Sequence, residues 1–174
     1  MNTLIDSEAY EISLQPILGN DTCGEISVIE EYANPKFMNA KIRLRVTANL
    51  NKQIDGFLVI KRIICGNKEL RPIYRSETIR KSSRPYWKDI YLPMNQWCNG
   101  DLKAKITFEL WNHTSTLQIY PHKMLAECEI DTLELLSDAQ CDYPLIHEKS
   151  VNPIGFLTIM RFETIPSIEV LMME

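Results

Sequence analysis

Glycine is scarce, with 6 residues in a chain of 174, and none is arranged as the run that cradles a phosphate, so that kind of nucleotide chemistry is excluded. A Gly-x-Ser-x-Gly elbow and a His-Glu-x-x-His metal helix are missing as well, and catalysis is not expected. Cys23, Cys65, Cys98, Cys128 and Cys141 are odd in number and widely scattered, with no Cys-x-x-Cys pair. That pattern favours reduced thiols over disulfides or zinc. His113, His122 and His147 stand apart from any ligand spacing and read as exposed or hydrogen-bonded loop residues. No uncharged apolar run approaches the roughly 20 residues needed to cross a bilayer. Nor is there a basic, apolar signal or an Arg-rich presequence at the start. These absences lead to an expectation of an intracellular protein, cytoplasmic or peripheral on a membrane, with no cofactor and no metal.

Basic residues are absent before Lys36, whereas Asp6, Glu8, Glu11, Asp21, Glu25, Glu30 and Glu31 all fall in that stretch. Seven of the 23 acids thus lie in an arm without bases, which leaves 16 acids against all 19 bases in the remainder. The net charge of -4 gives no general attraction to nucleic acid, which is not expected as a partner. Size and even composition suit one domain with extensions: an acidic N-terminal extension over 1–35, a domain over 36–164 and an apolar tail over 165–174. The arm mixes short apolar runs with Pro16, Gly19, Gly24 and Pro35, a pattern of turns.

From Lys41 the texture changes. Lys41-Ile42-Arg43-Leu44-Arg45-Val46 alternates charged and apolar residues with period two, the pattern of a strand with one wet and one buried face. Phe57 to Ile64, Ile73 to Ile79, Asp89 to Leu92, Lys103 to Leu110, Leu125 to Ile130 and Gly155 to Phe162 share that character, separated by turn chemistry such as Cys98-Asn99-Gly100-Asp101. Seven or so short strands at this spacing predict an all-β sandwich. Asp131 to Leu136 reads equally as one or two helical turns or as a structured loop. Val170, Leu171, Met172 and Met173 make the tail a docking segment in preference to a frayed end.

Four segments, in order, carry a resemblance. Asp55-Gly56-Phe57-Leu58-Val59-Ile60, Ser83-Arg84-Pro85-Tyr86-Trp87-Lys88-Asp89-Ile90, Gln96-Trp97-Cys98-Asn99-Gly100-Asp101 and Lys105-Ile106-Thr107-Phe108-Glu109-Leu110-Trp111 resemble the C2 domain of copines, over roughly residues 40 to 163. The resemblance implies an antiparallel, eight-stranded C2-type β-sandwich whose loops, at one end, hold calcium with Asp carboxylates. Carried over one by one, those positions fall at Asn51, Asp55, Asn112, Thr114 and Thr116. Calcium wants six to eight oxygens with several full charges among them. Only Asp55 supplies one, and Lys52 adds a positive charge to a shortened first loop. Calcium binding is therefore not expected, and Asp55 reads first as a turn residue bonding to backbone amides.

Between Lys61 and Lys88, nine bases face only Glu69 and Glu77. The resemblance implies that the third and fourth strands can present a basic face to a phosphoinositide headgroup, and Lys61, Arg62, Arg71, Arg75, Arg80, Lys81 and Arg84 are the candidates. Strand side chains alternate, so the nine cannot all converge. Trp87 and Trp97 are expected in the core. Trp111, with Leu117, Ile119 and Tyr120 in the following loop, is a candidate interface for protein or lipid. The combined expectation is a calcium-independent interaction or scaffolding module, an accessory subunit of a multi-protein and membrane-associated assembly. The alternative is peripheral binding of anionic phospholipid through the basic face.

Overall fold

The computed structural model describes residues 9–13, 25–29, 40–63, 69–114, 122–137 and 141–166, in two compact units, Met1–Asn34 and Pro35–Glu174. In the first, β1 (Ala9–Ser13) and β2 (Glu25–Ile29) form an antiparallel pair with Ala9 opposite Ile29 and Ser13 opposite Glu25. The turn-rich reading of this stretch contained no strands. Tyr10, Ile12, Ile26 and Val28 are nonetheless the β-branched and aromatic types that strands favour.

The second unit is a sandwich. One sheet has the order β10 (Asp142–Leu145), β11 (Gly155–Ile165), β3 (Lys41–Leu50), β7 (Ile90–Pro93). The other has β5 (Leu70–Arg75), β4 (Ile54–Ile63), β8 (Lys105–His113), β9 (His122–Asp131), with β6 (Ile79–Ser82) also on β4. All pairings are antiparallel. β5 and β6 lie in line along the same side of β4, so they form one interrupted edge strand and the sandwich has eight strand positions. The strand expected over Ile73 to Ile79 is broken in its middle. The break has a local cause: the buried Ser76 accepts the Leu58 N–H on its Oγ at 2.8 Å while its own N–H reaches the Leu58 carbonyl at 2.9 Å.

β3 shows why the period-two pattern forms a strand here. Ile42, Leu44, Val46, Ala48 and Leu50 are buried, and the polar residues between them are not. They meet Leu58, Ile60, Ile106, Phe108 and Leu110 of the opposite sheet in one core. Each fully buried side chain of this size contributes about 1.5–3 kcal/mol. Trp87 and Trp97 are fully buried, as expected of them. Trp87 donates its Nε1–H to the Gly56 carbonyl (3.4 Å) and so ties the segment before β7 to the start of β4. Trp97 closes the single helical turn α1 (Met94–Trp97), which the sequence reading treated only as the approach to a turn. The turn follows, with Asn99 and Gly100 both at positive φ (52° and 83°). The segment from Asp131 resolves as a short helix, α2 (Thr132–Ser137). β10 was not anticipated; Pro144 disguises it, and an edge position tolerates the missing N–H.

Candidate functional site

β3 ends and β4 begins at one end of the sandwich, where β6 also ends and the connection from β8 to β9 departs. Leu50 N donates to the Ser83 carbonyl at 2.8 Å and Asn51 N to the Ile154 carbonyl at 3.0 Å, so the short first loop is stitched to two neighbouring segments. The Asn51 side chain reaches the Pro153 carbonyl at 3.5 Å. Asn51, Lys52, Leu50, Ile54, Asn152 and Pro153 contribute to an open cleft of about 340 Å³ at this end.

Asp55 and Asn112 come together here, and both are engaged. Asn112 Oδ1 accepts the Asp55 backbone N–H at 3.0 Å. The Asp55 carboxylate accepts the backbone N–H of Lys81 at 2.7 Å, where Lys81 takes a positive φ of 49°. This is the turn-bonding role expected of Asp55, achieved across strands. Thr114 follows the end of β8. Thr116, Leu117, Ile119 and Tyr120 lie outside the described residues, and the tail beyond Pro166 does too. Among the described residues, no three His, Cys, Asp or Glu side chains converge as a metal site.

The outward face of the β5–β4–β8–β9 sheet carries a polar and aromatic cluster that sequence reasoning missed. Phe57, Lys61, Glu109, Trp111 and His113 share it because they occupy alternate positions on paired strands. Glu109 is only 5% exposed. Its carboxylate meets Lys61 Nζ at 2.6 Å and accepts the Trp111 indole N–H at 2.8 Å. Phe57 is buried although it points away from the core. Three groups cover it: Trp111 stacked with centroids 6.2 Å apart, His122 edge-on at 5.2 Å, and the Arg75 guanidinium 4.3 Å from the ring centre. The visible signal was the alternation itself, which put one aromatic and one acid on the wet side of strands.

The candidate basic residues divide. Lys61 and Arg75 are on this outward face, with Lys61 bound to Glu109. Arg62 pairs with Arg71 across β4 and β5 on the opposite side. Arg80, Lys81 and Arg84 are exposed along β6 and the turn after it. Among the described residues, Arg71, Arg75, Arg80, Lys81 and Arg84 have no carboxylate within ion-pair distance. Across the same face the sign reverses, since Glu127, Glu129 and Asp131 stand opposite Glu109, Thr107 and Lys105, and among the described residues only Glu129 of the three is in an ion pair, to Lys105 at 2.7 Å.

On the other sheet's outward face, Arg43 and Arg45 converge on Asp89 with N···O distances of 2.7 to 2.9 Å. Those two hydrogen-bonded guanidinium groups hold the Asp89 carboxyl well below the usual carboxylate range. Tyr86 and Tyr91 beside them are half exposed, and Phe156 and Met160 on β11 nearly so. Two of the thiols are poorly suited to nucleophilic chemistry: burial pushes Cys128 up to about 12 and raises Cys98 as well, so both stay protonated at neutral pH. No helix among the described residues is long and apolar enough to cross a membrane.

His113 and His122 correct the sequence reading. They are not separate loop residues: they end β8 and begin β9 in direct register, with Nδ1 atoms 3.2 Å apart. Nine positions of sequence separate them, and only the hairpin register brings them together.

The geometry has counterparts. No family model matches the chain, and no curated protein matches it. Among solved structures, one named BON1-C2B superposes with a TM-score of 0.57 at 16% identity, over 74% of this chain and 93% of that one. The fold is a C2-type β-sandwich. A second structure, titled "CC2D1B coordinates ESRCT-III activity during the mitotic reformation of the nuclear envelope", gives a TM-score of 0.51 at 12% identity, over 88% of this chain and 62% of that one. At these identities the likeness concerns architecture, and the side chains above define what this C2-type sandwich can do.

Proposed function

We propose that this chain is a copine-like C2 module that binds other proteins without calcium, as an accessory subunit of a larger, membrane-associated assembly, and that it is not an enzyme. One observation carries the reading: at the loop end, where a calcium-binding C2 domain needs several carboxylates, the chain has Asn51, Asp55, Asn112 and Thr114, and both Asp55 and Asn112 are committed to backbone N–H groups. A single carboxylate already bonded internally cannot offset the desolvation of a divalent ion. Protein binding gains support from the half-exposed Tyr86 and Tyr91 beside the Arg43–Arg45–Asp89 group, since Tyr and Arg dominate binding hot spots. Recovery of partners from native extract by the intact chain and by a chain lacking the first 33 residues tests the subunit reading. A stoichiometric complex with the intact chain alone supports it, and recovery by neither sinks it.

The second reading is anionic phospholipid binding, favoured by Arg71, Arg75, Arg80, Lys81 and Arg84, which meet no carboxylate among the described residues. Cations near an anionic leaflet contribute about 1 kcal/mol each. The acids of β9 oppose a flat approach by the whole outward face, so contact would be made along the β5–β6 edge. Co-sedimentation with phosphoinositide vesicles separates the two: salt-sensitive binding that falls on neutralising Arg80, Lys81 and Arg84 supports lipid, and no binding supports protein alone.

A further inference from the structure

We propose that His113 and His122 form a two-imidazole site for a divalent transition-metal ion of the zinc, nickel and copper group. Two nitrogens each about 2.05 Å from a metal, at the tetrahedral angle, stand about 3.3 Å apart. The two Nδ1 atoms are 3.2 Å apart. Their ring centroids are 4.9 Å apart with planes 39° from parallel. That is closer than two imidazoles aimed straight at each other would stand, so the rings are tilted off the line joining the nitrogens, as chelating rings are.

The scaffold fixes the pair in advance. Each ring sits on a strand, the two residues are cross-strand partners, and His122 packs edge-on against the buried Phe57. Asn112, next to His113, is held by the Asp55 N–H. Little side-chain freedom remains to be lost on binding. Both histidines are half-buried and reachable. A metal on both Nδ1 atoms requires each neutral ring to carry its proton on Nε2, so the Nδ1–Nδ1 hydrogen bond and the metal are alternatives for the same lone pairs. Imidazole selects this group of metals over calcium and magnesium, which require oxygen. Among the described residues no third His, Cys, Asp or Glu joins the pair, and Arg75, across Phe57, adds a repelling charge. Two ligands therefore give affinity in the micromolar range, of the order of 8 kcal/mol, with the remaining positions taken by water or by a donor from a partner.

Calorimetric titration of the full chain with Zn²⁺ and with Ni²⁺ tests this. One equivalent should bind, His113→Asn and His122→Asn should each weaken it by at least about tenfold, and His147→Asn should leave it unchanged. Long-range ¹⁵N spectra of the unsubstituted chain give an answer independent of any variant's folding: Nδ1 of His113 and His122 should shift on adding Zn²⁺, and the His147 nitrogens should not. No uptake at millimolar metal overturns the proposal. So does uptake that survives in the His113→Asn/His122→Asn double variant, which would place the metal on the thiols or on His147.

Discussion

Glu109 is the most testable element of the outward cluster, because it is a nearly buried carboxylate with one cation for company. Its side chain is 7% exposed and that of Lys61 is 23% exposed, with 2.6 Å between the charged atoms. Lys61→Met leaves the carboxylate buried and unpaired apart from the Trp111 indole N–H, and breaking a buried pair this way costs about 3–5 kcal/mol. Glu109→Gln keeps an oxygen for the indole and leaves Lys61 free to turn toward water, so it should cost less, about 1–2 kcal/mol. The double variant Lys61→Met/Glu109→Gln contains no unpaired charge and should lie within about 1 kcal/mol of the original protein, since such pairs roughly break even against neutral replacements. Urea unfolding followed by tryptophan fluorescence measures all four species, with Trp87 and Trp97 in the core as reporters. The coupling energy from the cycle should exceed about 2 kcal/mol. If the two single changes add to within about 0.5 kcal/mol, as independent sites do, the pair is not a coupled buried unit and the reasoning fails.

Three further outcomes are expected. Gly155→Ala should destabilise the sandwich by about 1–3 kcal/mol or prevent folding, because a Cβ there would lie 2.8 Å from the Leu50 Cα, against the backbone of β3; thermal melting of the variant checks it, and an unchanged midpoint would count against the β3–β11 register. Asp89, whose folded-state pKa is depressed, contributes stability that is present above the unfolded carboxyl value of about 3.9 and lost as pH falls below it; the stability gap between the protein and Asp89→Asn, read from urea midpoints, should therefore narrow between about pH 5 and pH 3 and stay constant above that. Restoring acids with Asn51→Asp, Asn112→Asp and Thr114→Asp together should confer calcium binding where the original chain takes up none at micromolar levels; calorimetry giving micromolar uptake by the unaltered chain would mean that the loops have been matched to the wrong positions.

The sandwich was legible because its strands alternate cleanly wherever one face meets the core. β3 is the clearest case, with Ile42, Leu44, Val46 and Ala48 buried in strict period two. The less legible elements are those in which something other than hydrophobic period decides. Pro144 concealed an edge strand, and Ser76 broke another by exchanging a ladder bond for a side-chain bond. α1 occupies the four residues Met94–Trp97, where no amphipathic repeat can be read. At the candidate site, the scarcity of carboxylates was visible residue by residue, whereas the hydrogen-bonding role of the residues present was not. Knowing that Asn112 receives the Asp55 N–H requires the register of β4 against β8.

The same register explains why a positive patch in the sequence does not become a positive face in space. Nine bases between Lys61 and Lys88 look like one feature, but pairing sends Lys61 and Arg75 to one side of the sheet and Arg62 and Arg71 to the other. β8 then presents Glu109 to Lys61, and β9 adds Glu127, Glu129 and Asp131 farther across. The outward face is therefore a dipolar surface, cationic toward β5 and β6 and anionic toward β9. Such a surface orients a partner whose own charges are arranged in the opposite sense, and it resists a uniformly anionic plane laid flat against it. A protein can supply that arrangement and a bilayer cannot, which is the physical ground for placing protein binding ahead of lipid in the function proposed for this C2-type sandwich.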